Sequence, residues 1–273
     1  MIRVSASISV QYDNPFSPFR GCEWEKGFEW VKACGFDAVE IILSDPSLLD
    51  FDRIRRKLDA LELGVSTIST GQAMGMEGIA MTSPSALKRQ AARERLFADI
   101  DFSAAFGKPN VTVGLIRGRG GEASPDIEEA LLCRELSVAA EYAAKKGVVL
   151  NLEPINRYEC KLVHSTAEGD AILEKIGRPE NVGILYDTFH SNIEDPDMLA
   201  EIQTYAGSIS HVHFADSNRS LPGEGHIDFP AVIRTLEQNG YNGYVSLEVL
   251  NRPDMEHIRD FAAAAMRGCF GQK

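Results

Sequence analysis

The sequence has no pair of cysteines at CxxC spacing, and its five cysteines are scattered along the chain. An odd number of isolated cysteines does not suit a disulfide framework and is typical of reduced thiols inside a cell. No apolar run approaches the roughly 18 residues that a membrane span needs. The first residues also lack the basic and apolar regions of a signal peptide. We therefore expect a cytoplasmic protein without a membrane partner.

Positive charge is scarce relative to negative charge. The 273 residues include 28 Lys and Arg against 40 Asp and Glu, which gives a formal net charge of −12. A surface that follows the phosphates of a nucleic acid needs clustered Lys and Arg. The charge balance therefore argues against nucleic acid as a partner.

The sequence does contain a regular alternation of short β-rich runs with longer segments of helical periodicity. Eight such pairs occur without a Ser/Gly/Pro-rich linker, so we predict a single domain over residues 1–273. The predicted strands cover residues 4–9, 38–43, 65–69, 110–115, 148–153, 182–187, 209–215 and 244–249. Gly35, Gly147 and Gly240 each stand where a predicted helix ends and the chain enters a strand.

Eight βα units in a chain of this length favour one α/β fold, the closed (β/α)₈ TIM barrel. An open, doubly wound sheet is the alternative. No GxGxxG follows the first predicted strand, and this favours the barrel.

The last four predicted strands end in groups that can bind a metal ion. Catalytic groups of such barrels lie at the C-terminal strand ends. The groups found there are Glu153, Asp187, His213 and Glu248. Any one of them alone could be a helix cap or a salt-bridge partner, but three neighbouring carboxylates repel one another unless a cation lies among them. Three oxygen ligands and one imidazole predict one divalent ion, Mn²⁺ first, with Mg²⁺, Co²⁺ or Zn²⁺ as alternatives.

The seventh strand contains two histidines, His211 and His213, and their spacing places both on one face of the strand. We choose His213 as the metal ligand because it is nearer the C-terminal end. His211, one layer deeper, is expected to support the ligand or to belong to the core.

Four segments of the C-terminal half resemble, in order and spacing, the motifs of the ketose 3-epimerases, the tagatose and allulose epimerases of the xylose isomerase-like TIM barrel superfamily. They are residues 153–159 (EPINRYE), 187–194 (DTFHSNIE), 211–219 (HVHFADSNR) and 222–228 (PGEGHID). The N-terminal half is similar to the bacterial 5-keto-L-gluconate epimerases associated with inositol catabolism. That similarity lies in residues 35–41 (GFDAVEI), 45–47 (DPS), 69–73 (STGQA) and 114–119 (GLIRGR).

The resemblance implies the same metal ligands, Glu153, Asp187, His213 and Glu248. It also implies substrate contacts from Glu159, His190 and Arg219. We add Gln72, and we add Arg117 with Arg119 because a guanidinium can bind the carboxylate of a keto-sugar acid through two hydrogen bonds. The alternative for the two arginines is a solvated loop between glycines.

The predicted reaction inverts the carbon next to the ketone of a keto-sugar or keto-sugar acid such as 5-keto-L-gluconate. Loss of the proton from that carbon leaves a cis-enediolate, which a metal ion stabilises. Inversion needs one group that removes the proton and another that returns it on the opposite face. Glu153 and Glu248 are the predicted catalytic pair.

Three other functions are compatible with a barrel of this kind. An aldose–ketose isomerase, similar to the hydroxypyruvate isomerases, would return the proton to the neighbouring carbon. A non-catalytic sugar-binding barrel would keep the scaffold alone. A DNA-repair endonuclease with three zinc ions is disfavoured, because it needs further histidines and none precedes His164.

We also expect a homo-oligomer, a dimer or tetramer, in which residues 12–19 form a lid or an interface.

Overall fold

Eight parallel strands, hydrogen-bonded in chain order, form a closed barrel in the computed structural model, which describes residues 1–271. The strands are β1 (Arg3–Ser9), β2 (Ala38–Ile42), β3 (Gly64–Ser69), β4 (Asn110–Val113), β5 (Leu150–Leu152), β6 (Val182–Asp187), β7 (Ile209–Phe214) and β8 (Tyr244–Leu247). The pairing of β1 with β8 closes the barrel, so the predicted TIM barrel is confirmed and the open sheet is excluded.

Helices follow the strands and cover the outside of the barrel. Along residues 1–271 they are α1 (Trp24–Ala33), α2 (Phe51–Leu61), α3 (Gly71–Glu77), α4 (Ala86–Ala105), α5 (Pro125–Lys146), α6 (Thr166–Lys175), α7 (Thr188–Glu194), α8 (Met198–Tyr205), α9 (Phe229–Gln238) and α10 (Met255–Cys269). The predicted domain of residues 1–273 ends at two residues that lie outside the described part, and its bounds stay a prediction.

Five predicted strands are shorter in the structure than in the sequence pattern, and the fourth and fifth end early for identifiable reasons. The fourth stops at Val113 because Gly114 leaves the extended conformation (φ −90°, ψ −119°) and a 3₁₀ turn begins at the next residue. The fifth still donates a hydrogen bond from the Glu153 amide to the Val113 carbonyl, but Pro154 has no amide hydrogen with which to continue.

Glycine ends α5 and follows α1 as the sequence predicts. Gly147 (φ +69°) and Gly35 (φ +76°) adopt the left-handed conformation that closes a helix, and only glycine does so without a side-chain penalty. After these turns the chain enters β5 and β2 at the N-terminal end of the barrel.

The hydrophobic core lies between the strands and the surrounding helices. Apolar residues that point outward from the barrel, such as Val39, Ile41 and Val111, are fully buried there, while the inward-facing positions are largely polar. Among the described residues, no helix is both long and apolar enough to cross a membrane.

Candidate metal centre and active site

The four predicted metal ligands meet at the C-terminal end of the barrel. One ligand atom from each of Glu153, Asp187, His213 and Glu248 lies within 4.8 Å of the other three, and all four residues are buried. His213 Nδ1 lies 3.4 Å from Glu248 Oε2, and 3.8 Å from both Glu153 Oε1 and Asp187 Oδ2. These separations leave the centre of the set for one ion.

Two of these atoms lack any other partner. Asp187 Oδ2 and His213 Nδ1 are fully buried and have no hydrogen bond within residues 1–271. An unpaired buried polar atom costs free energy, and a bound cation would satisfy both of these atoms. The other carboxylate oxygen of Asp187, Oδ1, accepts hydrogen bonds from the amides of Phe189 and His190 and caps α7. Asp187 therefore caps the helix with one carboxylate oxygen and leaves the other for a metal ion.

The charges of the cluster also fit a cation. Burial and the neighbouring Glu248 raise the pKa of Glu153 to about 8. Burial raises the pKa of Asp187 to about 6, although Arg219 acts in the opposite direction. In the metal-free protein these carboxyl groups therefore resist ionisation, and a bound divalent ion would compensate for their charge.

Glu40 stands behind His213, and the sequence reasoning missed it. It is fully buried on β2, and its carboxylate lies 3.0 and 3.1 Å from His213 Nε2 and 3.3 Å from His211 Nε2. A carboxylate that accepts from the outer nitrogen of a ligating histidine fixes the ring and leaves the other nitrogen for the metal. His211 thus lies one layer below the metal-binding group, where the sequence analysis expects it. The sequence signal was a charged residue inside the apolar run of β2.

A hydrogen-bonded chain links three of the predicted substrate contacts. Arg219 Nη1 donates to Glu159 Oε1 (2.7 Å), and the Asn156 amide donates both to that oxygen (3.0 Å) and to His190 Nδ1 (2.8 Å). Because Nδ1 accepts, the proton of a neutral His190 lies on Nε2. Nε2 is 3.8 Å from Asp187 Oδ2, so it faces the metal cluster. Burial and Arg219 lower the pKa of His190, which keeps the ring neutral.

Arg219 is held between two aromatic rings. Its guanidinium carbon lies 4.5 Å from the centroid of Phe16 and 4.7 Å from that of Phe189. Its Nη2 approaches Glu248 Oε2 at 3.4 Å. The Arg219 guanidinium thus lies between Glu248, a candidate metal ligand, and the pocket. The two rings shield it from water.

The pocket above the cluster has a volume of about 360 Å³. Glu153, Glu248, Glu159, His190, Arg219 and Gln72 all line it. The segment after β1 contributes Asp13 to Phe16 to the lining, and its role as a lid or an interface stays a prediction. Gln72 lies at its wall, with its amide nitrogen 3.2 Å from the Tyr12 carbonyl.

Arg117 does not reach this pocket, and its predicted contact with substrate is corrected. It is fully buried, and its guanidinium donates to the backbone carbonyls of Leu162, Glu153 and Val163. Those bonds hold the loop after β5 in place. Arg119, two residues on, lines the pocket mouth, and its Nη1 donates to the Glu159 carbonyl.

The fold and site define a TIM barrel with a candidate metal centre at its C-terminal end. Comparisons with known proteins agree. Residues 28–268 match the family model described as xylose isomerase-like TIM barrel. An L-ribulose 3-epimerase of Mesorhizobium japonicum is 34% identical over 230 residues, 83% of this chain and 75% of that protein. A ketose 3-epimerase of Arthrobacter globiformis is 30% identical over 220 residues, 80% of this chain and 74% of that protein.

A solved structure of an L-ribulose 3-epimerase superposes with a TM-score of 0.83 at 27% identity, covering 99% of this chain and 95% of the other. The chain therefore belongs to the ketose 3-epimerases of the xylose isomerase-like TIM barrel family. It is an enzyme of the isomerase class. The resemblance of the C-terminal motifs to the ketose 3-epimerases is confirmed, and the similarity of the N-terminal half to the 5-keto-L-gluconate epimerases stays a prediction.

Proposed function

We propose that the protein is a divalent-metal-dependent epimerase that inverts the carbon next to the ketone of a keto-sugar. The observation that carries this proposal is the pair of unpaired buried atoms, Asp187 Oδ2 and His213 Nδ1, which face Glu153 and Glu248 at the floor of the pocket. Glu153, Asp187, His213 and Glu248 would hold a divalent ion, Mn²⁺ as first choice, which would supply Lewis-acid stabilisation of the negative charge that develops when the substrate loses its proton. The named activities of the relatives support the same reaction.

Glu153 and Glu248 are the proposed proton-transfer pair. They stand at the ends of β5 and β8, three strands apart around the barrel, and both line the pocket. One takes the proton from the substrate carbon, and the other returns a proton on the opposite face. Because burial and Glu248 raise the pKa of Glu153 to about 8, this carboxyl can hold a proton near neutral pH in the metal-free protein.

The remaining pocket side chains position the substrate. The Nε2 hydrogen of a neutral His190 points to the site as a fixed hydrogen-bond donor, because Asn156 occupies the other nitrogen. Arg219, paired with Glu159, places a permanent positive charge beside Glu248. Donors fixed before the substrate arrives lose no free energy in reorientation during the reaction.

For the substrate we propose a keto-sugar acid, with 5-keto-L-gluconate as the example. Arg119 supports this choice because it lines the pocket mouth and its one hydrogen bond to the described protein is made through Nη1. The remaining guanidinium hydrogens are available to a carboxylate. A role in inositol catabolism is the prediction that accompanies this substrate.

The test is an NMR assay in D₂O with Mn²⁺, with 5-keto-L-gluconate, D-fructose, D-tagatose and D-allulose offered separately. We expect deuterium to enter the carbon next to the ketone with inversion. Glu248→Gln should lower the rate about 10²- to 10⁴-fold, because it removes a general acid–base group. Metal removal should abolish turnover in the wild type.

Two outcomes would contradict the proposal. Deuterium incorporation accompanied by migration of the carbonyl to the neighbouring carbon would identify an aldose–ketose isomerase. A protein that binds Mn²⁺ but exchanges no proton of any of the four sugars would be a binding barrel for such compounds.

A further inference from the structure

On four strands the inward-facing positions carry rows of polar side chains that run along the barrel. Residues two apart on a strand share a face. On β1 the row is Arg3, Ser5, Ser7 and Ser9, and on β8 it is Tyr244 and Ser246, followed by Glu248. Similar rows run along β4, through Asn110 and Thr112, and along β7, through His211 and His213. Barrels of this fold are normally filled by bulky branched residues.

The two ends of these rows open into different pockets. Glu248 and Thr112 line the active-site pocket. Arg3, Asn110, His211 and Tyr244 line a separate cavity of about 340 Å³ at the N-terminal mouth. The rows of β4 and β8 therefore have one end in each of the two cavities.

Four polar atoms between these cavities have no partner. Ser5 Oγ, Ser7 Oγ, Ser246 Oγ and Asn151 Nδ2 are buried and make no hydrogen bond to any residue from 1 to 271. Their residues are at most 1% exposed. An unpaired buried group of this kind costs free energy, and such groups are normally hydrogen-bonded to protein or to ordered water.

Three of the unpaired groups, the serine hydroxyls, lie on strands next to Glu40 and His213. Ser5 is the register partner of Ser246, and Ser246 is the partner of His213 on its other side. Ser7 is the partner of Glu40. Asn151, the fourth, lies on β5 as the register partner of Thr112.

We propose that a file of ordered water molecules occupies the barrel interior between the N-terminal cavity and the residues that support the metal centre. Three hydroxyl groups and one amide nitrogen combine donors and acceptors and carry no charge, which suits water better than an ion. The file gives solvent an approach to His211 and Glu40 that is separate from the substrate pocket. This inference does not depend on the proposed reaction.

The first test is a crystal structure of the wild-type protein at a resolution that shows ordered water. We expect at least one water within hydrogen-bonding distance of each of the four atoms, continuous with the water in the N-terminal cavity. The proposal is overturned if the four atoms have no water neighbours, or if their side chains turn to bond other protein groups.

A second test works in solution and does not use activity. Relaxation dispersion of solvent ¹⁷O and ²H reports long-lived internal water. The paired substitution Ser7→Val with Ser246→Val adds methyl groups to the interior, and we expect it to reduce the dispersion amplitude. Thr235→Val is the matched control, because its buried hydroxyl already donates to the Ala231 carbonyl on α9, outside the barrel interior. An unchanged amplitude in the paired variant would contradict the proposal.

Discussion

At the scale of single residues, the site is built from side chains whose two polar atoms have different tasks. Asp187 caps α7 with Oδ1 and leaves Oδ2 for the proposed metal ion. His213 meets Glu40 with Nε2 and offers Nδ1. This division fixes each ligand before the metal binds, and it makes the two tasks separable by substitution.

Asp187→Asn is expected to keep the helix cap and to weaken metal binding. The amide oxygen of Asn can still cap α7, so the melting temperature of the metal-free protein should change little. The negative charge is lost, so Mn²⁺ affinity measured by calorimetry should fall at least about 10-fold. Asp197→Asn is the control, because Asp197 caps α8 in the same way and is remote from the ligand set. Equal Mn²⁺ affinities for the Asp187 variant and the wild type would exclude this residue as a ligand.

Metal binding should strengthen as the pH rises from 6 to 8. Burial and Glu248 raise the pKa of Glu153 to about 8, and burial raises that of Asp187 to about 6. Both carboxyls must be ionised to bind the cation, so binding below these pKa values releases protons and loses affinity. Calorimetry in buffers of different ionisation enthalpy would measure the released protons. A Kd that does not vary over this interval would contradict the assigned ligands.

Two arginines two positions apart are expected to respond differently to the same substitution. Arg119→Gln should raise the KM for 5-keto-L-gluconate roughly 10-fold and leave that for a neutral ketose unchanged, because it removes a charged hydrogen-bond donor. Arg117→Gln should instead lower the free energy of unfolding, since it leaves buried carbonyls without donors. Denaturant titration and steady-state kinetics of both variants check this pair. An equal rise in KM for acid and neutral substrates in the Arg119 variant would refute the selective role of Arg119.

At the scale of elements, the end of β4 provides space for a ligand on β5. Gly114 is required there for close approach, because a Cβ atom at this position would overlap Glu153 Oε2. The glycine also starts the 3₁₀ turn that directs Arg117 under the neighbouring loop. The backbone at the end of one strand thus determines where the carboxylate of the next one lies.

Gly114→Ala should therefore displace Glu153 and lower both Mn²⁺ affinity and kcat/KM about 10-fold or more. Gly207→Ala is the control, because a Cβ there would meet no atom within 4 Å. If the Gly114 variant binds metal and turns over substrate like the control, the position of Glu153 is not set by this contact.

The elements could be predicted from the sequence more completely than the contacts between them. The alternation of β-rich runs with helical periodicity placed all eight strands, and the strand ends pointed to four side chains that converge in the structure. Glu40 was missed because the sequence separates it from His213 by 173 residues, and only closure of the barrel brings them together. Arg117 was wrongly predicted to contact substrate, because the sequence pattern does not show whether a loop arginine points into the pocket or packs under the neighbouring loop.

At the scale of the whole molecule, closure of the barrel places the proposed proton-transfer groups three strands apart, with the segment after β1 and Gln72 of α3 on the remaining wall. The same closure creates the polar interior that runs behind the metal-binding residues. The sequence does not determine the sugar, the metal or the assembly, because each depends on distances of a few ångströms or on surfaces between chains. The homo-oligomer stays a prediction.

The central claim, that one divalent cation lies among four converging side chains, is tested most directly by anomalous diffraction. Crystals of the protein prepared with Mn²⁺ would be measured at the manganese absorption edge. The structure predicts one strong anomalous peak bounded by Glu153, Asp187, His213 Nδ1 and Glu248. A fully occupied peak elsewhere, or none at this position in crystals that contain bound manganese, would contradict it.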